Sequence, residues 1–98
     1  MSRPRYIWWG YVKAMIRTYP QDREGKTAQA EKKAVSEAIK ETQGLPNGED
    51  RMKMVNLVFI QQTHTLEGAA QKIPCSRRTA RRWHTEFICA VAQKYGLL

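Results

Sequence analysis

The amino-acid sequence predicts an all-α protein of about five helices, in which an N-terminal helical pair precedes a C-terminal helix-turn-helix unit of three helices. Apolar residues recur at intervals of three and four in successive segments, as they do on one face of a helix. Turn-forming residues separate these segments, and no stretch of alternating polarity is bounded as a strand. A chain of 98 residues is long enough for one domain with one modest core.

The first helix is expected over residues 6–18, after Pro4 and before Pro20, which closes it. Its apolar stripe is unusually broad and rich in aromatic residues. Because Trp8 and Trp9 lie on adjacent parts of it, we expect at least one of them to be largely buried, in the core or at a dimer interface. The stripe consists of Ile7, Trp8, Trp9, Tyr11, Val12, Ala14, Met15, Ile16 and Tyr19.

A second helix is expected to begin at Thr27 and to end near Gln43. Its apolar stripe is narrow and consists of Ala30, Ala34, Val35, Ala38 and Ile39. The charged residues are predicted to face water, and they are Glu31, Lys32, Lys33, Glu37, Lys40 and Glu41. Turn-forming residues then fill positions 44–48. They divide the chain into segments 1–44 and 45–98, which we expect to be joined by a short connection and not to form independent domains.

A third helix is expected from Asp50 to about Gln61, because acidic residues at its start suit the helix dipole. The apolar run over residues 54–60 could be mistaken for a strand. The charged residues that precede this run, and the lack of any partner strand, favour a buried helix instead.

The fourth and fifth helices form the predicted helix-turn-helix. Thr65 is expected to cap the fourth helix, which covers residues 66–73. Pro74 and Cys75 make the turn. Ser76 is expected to cap the fifth helix, which runs to about residue 94 and ends at Gly96.

Side chains around this turn fall into two sets. Small or apolar residues are expected where the two helices cross, and these are Ala69, Ala70, Ile73, Cys75, Ala80, Trp83 and Phe87. With those positions buried, the polar residues of the fifth helix must point away from the core. This outward set consists of Ser76, Arg77, Arg78, Arg81, Arg82 and Thr85.

The outward set has the chemistry of a DNA-binding surface. Arginine satisfies phosphates and also reads guanine edges with two donors at once. We expect Arg77, Arg78 and Arg81 to enter the major groove, and Arg82 to contact the backbone. Ser76 and the backbone amides at the helix start are suited to hold a phosphate. Two further residues outside this set, Lys72 and His64, are candidate phosphate contacts.

The charge distribution agrees with a polyanionic partner. The chain has 17 Lys and Arg against 9 Asp and Glu, a net charge of +8. Residues 1–26 carry a net +4, residues 27–50 a net −2 and residues 51–98 a net +6. A basic helix that only solvates the surface is the alternative interpretation. The segment over residues 76–85 contains four arginines and no acidic residue. These arginines would repel one another, which disfavours that alternative.

From Leu45 onward the order of these features resembles region four of bacterial sigma factors. The serine-led segment over residues 76–82 matches that family's recognition helix, and residues 65–67 match the opening of its preceding helix. The chain also looks like small phage late-gene transcriptional activators of the RinA/ArpU type, because an aromatic N-terminal helix precedes such a motif. This resemblance implies a sequence-specific, DNA-binding transcription regulator of phage or prophage origin, with double-stranded DNA as its partner.

Other classes of protein have little support in the sequence. Cys75 and Cys89 are the only cysteines, and they show no zinc-ligand spacing with His64 or His84. No phosphate-binding glycine loop and no catalytic triad pattern is present, so we predict no enzyme, no cofactor and no metal. No signal peptide and no run of membrane-spanning length is present, which predicts an intracellular, cytoplasmic protein without a membrane partner.

Two further functions remain open. A small DNA-packaging subunit, like those of terminases, would also be basic, helical and equipped with a helix-turn-helix, but it would usually form a ring. A module that docks on RNA polymerase through the surface around Trp8 and Trp9 would need no contact with DNA. RNA polymerase and a second copy of the chain are therefore additional candidate partners.

Overall fold

The computed structural model describes residues 7–19, 24–61, 65–73 and 75–97. Five helices are present in these ranges, without any strand, which confirms the predicted all-α fold. They are α1 (Trp9–Thr18), α2 (Lys26–Gln43), α3 (Gly48–Val55, extended by a π-helical turn over Asn56–Ile60), α4 (Leu66–Lys72) and α5 (Arg77–Tyr95). The predictions for Pro4, Tyr6, Pro20, His64 and Pro74 lie outside the described residues.

Helix α1 begins later than the sequence predicts. Ile7 and Trp8 form a turn before it, and Trp8 accepts a hydrogen bond at its carbonyl oxygen from the Val12 amide, at 3.0 Å. No side chain caps this end of the helix. The apolar pattern that continues to Ile7 therefore does not determine where the helix starts, because no capping residue marks the boundary.

One apolar core connects the helices, and it draws residues from both sides of the 44–48 connection. It contains Val12, Met15, Ile16, Ala34, Val35, Ala38, Met54, Val55, Phe59, Ile73, Trp83, Phe87, Ile88, Val91 and Ala92. Trp8, Trp9 and Ile39 pack against this core and stay partly exposed, whereas Ala30 of the predicted α2 stripe is exposed. The fully enclosed tryptophan is Trp83, with 3% of its surface exposed.

The prediction that the charged residues of α2 face water is wrong for Glu31. Only 6% of its surface is exposed. The Tyr11 hydroxyl donates a hydrogen bond to Glu31 Oε2, and it lies 3.2 Å from the Tyr95 hydroxyl. The hydrogen bonds with Glu31 and then Tyr95, followed by burial, raise the pKa of Tyr11 far above its usual value. The Tyr11 hydroxyl of α1 therefore contacts both Glu31 of α2 and Tyr95 of α5.

The third helix confirms the helical interpretation of the apolar run, with a local difference. Over Asn56–Ile60 the backbone forms a π-helical turn, closed by a 2.7 Å hydrogen bond from the Gln61 amide to the Asn56 carbonyl oxygen. Phe59 is buried within this turn. The helix also begins at Gly48, two residues before Asp50. A Cβ atom at Gly48 would lie 2.5 Å from the Gln43 carbonyl oxygen, so the two backbones approach too closely for a larger residue.

Candidate nucleic-acid interface

Both N-terminal caps predicted for the fourth and fifth helices are present. Thr65 Oγ1 accepts a hydrogen bond from the Gly68 amide at 3.1 Å, which fixes the start of α4. Ser76 Oγ accepts one from the Thr79 amide at 3.1 Å, which fixes the start of α5. At the other end of α5, Gly96 has a left-handed backbone with φ of 92° and closes the helix as predicted.

Small residues allow α4 and α5 to cross closely. Ala69 and Ala80 have no exposed surface, and Ile73 is buried beside them. Cys75 is partly buried in the turn, where its amide donates to the Ile73 carbonyl oxygen at 2.6 Å. Burial, and then the negative charge of Asp50, raises the pKa of the Cys75 thiol. The thiol is therefore protonated at neutral pH, and it serves as a packing group.

Burial of Ala80, Trp83 and Phe87 sets the rotation of α5 about its axis. All six residues of the outward set are consequently exposed: Ser76, Arg77, Arg78, Arg81, Arg82 and Thr85. Arg78, Arg81, Arg82 and Thr85 follow the i, i+3, i+4, i+7 spacing of one helix face, and we call these four residues the arginine stripe. Arg77 lies at its edge, two turns before His84.

The four arginines differ in their ionic partners. Within the described ranges, Arg77, Arg78 and Arg81 pair with no acidic side chain. Arg82 Nε lies 3.7 Å from Glu86 Oε1. All four guanidinium groups are exposed, and Arg82 has an acidic neighbour on its own helix.

At the start of α5 the Ser76 hydroxyl is already engaged. It donates to Thr79 Oγ1 at 2.9 Å while it accepts from the Thr79 amide. The amides of Arg77 and Arg78, the first two residues of α5, have no carbonyl acceptor in the preceding turn of an α-helix, and they lie at its positive dipole end. Any phosphate at this position would therefore be held by backbone amides more than by the serine proton.

Sequence reasoning missed a group of residues beside the stripe. Arg51 of α3 donates from Nη1 to Glu86 Oε2 at 2.6 Å, and its Cζ lies 5.4 Å from the centre of the Trp83 ring. The spacing of Arg82 and Glu86, four residues apart on one helix, could have indicated their pairing. No local signal links Arg51 to Glu86, because 35 positions separate them.

His84 is a second residue that sequence reasoning did not place. Its ring stacks on Phe59 with centroids 4.8 Å apart, and it lies 6.4 Å from the Trp9 ring. Burial, and then the positive charge of Lys13, lowers the pKa of His84 to about 4. The imidazole is therefore neutral at neutral pH and serves as an aromatic packing group.

Acid is expected to destabilise the protein through His84. The folded state holds the pKa near 4, whereas an unfolded histidine titrates near 6.5. Above about pH 6.5 the residue is neutral in both states and has no effect. As the pH falls from about 6.5 to 4, only the unfolded state takes up the proton, and the free energy of unfolding falls by at most about 3 kcal/mol. Chemical denaturation at a series of pH values measures this loss.

The variant His84→Gln is expected to lose this part of the pH dependence, because glutamine takes up no proton. All carboxyl groups are present in both proteins, so their effect on stability is the same in each. His64→Gln is the matched control, because it removes the other histidine and should leave the His84 titration in place. Equal pH profiles for wild type and His84→Gln would contradict the assignment.

The described part of the chain holds neither a cluster of metal ligands nor a membrane-spanning helix. No three His, Cys, Asp or Glu residues of the described ranges lie together as metal ligands would. None of the described helices is both long enough and apolar enough to cross a membrane.

No protein-family model, no curated protein and no solved structure matches this chain. The resemblance to sigma region four therefore stays a prediction from the sequence.

Proposed function

We propose that this protein binds duplex DNA sequence-selectively and regulates transcription, with the N-terminal half of α5 inserted into the major groove. The observation that carries the proposal is the arginine stripe, which is exposed along a capped helix that packs against α4. The stripe lies on the face of α5 opposite the buried residues Trp83 and Phe87.

The dimensions of α5 suit this partner. Its 19 residues form a rod of about 28 Å, and the major groove of B-DNA accepts one helix. Arginine side chains on the outer face of such a helix reach base edges, while α4 lies across the groove. Serine, threonine and amide donors at the start of α5 are then close to the phosphates.

The ionic partners support a division of roles. Among the described side chains, Arg77, Arg78 and Arg81 pair with no acidic group, so DNA binding at these positions would break no ion pair between described residues. We assign guanine reading to these three residues. Arg82, which already has Glu86 beside it, is assigned to the phosphate backbone.

Electrostatics favours the encounter with DNA. The chain carries a net charge of +8, and such an excess attracts polyanions over several ångströms before contact. A small basic protein with one reading helix fits the role of a transcription regulator. That role would place it in the cytoplasm, with the DNA that it binds.

Selection of bound sequences from a random duplex library tests this function. We expect enrichment of one short motif that contains guanines. The selected duplex should bind about a thousandfold more tightly than a scrambled duplex of equal length. Affinity for the scrambled duplex should fall with salt, with a log–log slope of about −0.9 for each phosphate contacted.

The same measurements on single-stranded DNA of equal charge are the control. A library without enrichment, or equal affinity for the selected and scrambled duplexes at every salt concentration, would show that the protein does not read sequence.

A further inference from the structure

We infer that Arg51 and Glu86 are positioning residues for Arg82, and that they set how much Arg82 contributes to DNA binding. The inference rests on the proposed function. Neither residue belongs to the arginine stripe, and Arg51 comes from a different helix, α3. The three side chains form a chain of contacts, in which Arg51 holds one carboxylate oxygen of Glu86 and Arg82 approaches the other.

Arg51 is the fixed end of this chain of contacts. Its side chain is only 12% exposed. It donates from Nε to the Pro46 carbonyl oxygen at 2.9 Å and from Nη1 to Glu86 Oε2 at 2.6 Å. Its guanidinium also lies over the Trp83 ring, with Cζ 5.4 Å from the ring centre. Contacts on three sides restrict the guanidinium to one position.

Trp83 links this contact to the rotation of α5. The ring is buried, and Nε1 has no hydrogen-bond acceptor among the described residues. A hydrogen bond therefore does not hold the ring in place. Packing and the guanidinium of Arg51 do so instead, and Arg51 thus holds α3 and α5 in register at the level of Glu86.

Glu86 divides its charge between two guanidinium groups. Oε2 lies 2.6 Å from Arg51 Nη1, and Oε1 lies 3.7 Å from Arg82 Nε. The tight contact keeps the carboxylate on the α3 side and offsets part of its charge. Arg82, whose side chain is 62% exposed, is therefore restrained only weakly, and it can still reach a phosphate.

This arrangement makes two changes to the same ion pair act in opposite directions. Removal of the Glu86 charge releases Arg82, so Arg82 should contribute more to the affinity for DNA. Removal of the Arg51 charge leaves Glu86 free to pair fully with Arg82, so Arg82 should matter less. If the pair had only a structural role, E86Q and R51M would change the effect of R82A on duplex affinity in the same direction.

The experiment measures the effect of R82A on duplex affinity in four backgrounds: wild type, E86Q, R51M and K53M. Lys53 is the matched control, because it is an exposed cation on α3 that pairs with Asp50 at 4.0 Å and not with Glu86. We expect the loss caused by R82A to be at least about threefold larger in E86Q than in wild type, and to shrink in R51M. In K53M it should match wild type within about twofold.

A measurement without DNA separates this inference from the proposed function. The Nε–H signal of Arg82 in NMR spectra of the free protein should shift in E86Q and in R51M, and it should stay unchanged in K53M. If wild type binds no duplex, the proposed function is wrong, and the NMR signal alone then decides whether Glu86 restrains Arg82.

Two results would overturn the inference. One is an Arg82 signal that E86Q leaves unshifted. The other is a loss from R82A that changes in the same direction, or not at all, in E86Q and R51M. If R51M does not fold, E86Q still decides the question, because Glu86 is 44% exposed and its replacement by glutamine preserves shape.

Discussion

Replacement of Arg77, Arg78, Arg81 and Arg82 together by alanine is expected to abolish selective duplex binding. All four side chains are exposed on α5, and each arginine that reads a base contributes roughly 1–3 kcal/mol to discrimination. The combined loss of affinity for the selected site should therefore exceed about a hundredfold. Alanine favours helix, so α5 should remain folded. Fluorescence anisotropy with labelled duplex measures the loss, and circular dichroism checks the fold.

The single variants should separate the two kinds of contact. Loss of Arg77, Arg78 or Arg81 should relax selectivity at one position of the site. Loss of Arg82 should weaken all sequences about equally and reduce the salt slope by about one unit.

A matched control removes the same number of positive charges elsewhere. Arg17, Lys26, Lys33 and Lys40 are exposed on α1 and α2. Their joint replacement by alanine should lower affinity for all duplexes through the net charge, yet preserve the ratio between selected and scrambled sites. Unchanged duplex binding by the variant without the four α5 arginines would disprove the proposed interface.

Trp83→Ala is expected to destabilise the fold by about 3–5 kcal/mol. The ring is the largest side chain in the core, and Arg51 lies over it. Its loss leaves a cavity and frees the guanidinium that holds Glu86. Because a domain of this size is stable by only about 5–15 kcal/mol, the variant should unfold at a much lower denaturant concentration. The change is measured by chemical denaturation, followed by circular dichroism.

Trp83→Phe is the informative comparison. It retains most of the apolar volume, and it removes the buried Nε1–H, which has no acceptor in the described part of the chain. Relief of that unsatisfied donor should offset part of the lost packing, so we expect a cost below about 2 kcal/mol. A cost near zero for Trp83→Ala would show that the ring does not anchor α5, and an equal cost for both variants would contradict the expected gain from removal of the Nε1–H donor.

Features determined by residues close together in the sequence could be predicted. The caps at Thr65 and Ser76, and the glycine that ends α5, depend on hydrogen bonds within one helical turn. The exposure of the arginines follows from the periodicity of the buried residues Ala80, Trp83 and Phe87. For the same reason the outward set was identified correctly as an exposed face from the pattern alone.

Features that depend on which helices meet could not be predicted. Glu31 follows the spacing of a surface residue, yet it is buried and accepts a hydrogen bond from Tyr11, which lies 20 positions away in the sequence. Burial lowers the pKa of His84, whose ring stacks on Phe59 in the π-helical turn. The start of α1 was predicted too early, because apolar periodicity continues through the turn that precedes it.

The sequence by itself therefore determined the class of fold, the boundaries at capped helix ends, and the exposed arginine stripe. Only the tertiary structure decided how the Glu86 carboxylate is shared between Arg82 and Arg51. Arg82 and Glu86 are neighbours on one helix, but the position of that carboxylate depends on Arg51, which lies 35 positions earlier. Local periodicity specifies which face of a helix is buried; the charged groups that meet across two packed helices are specified by the angle and register of that packing.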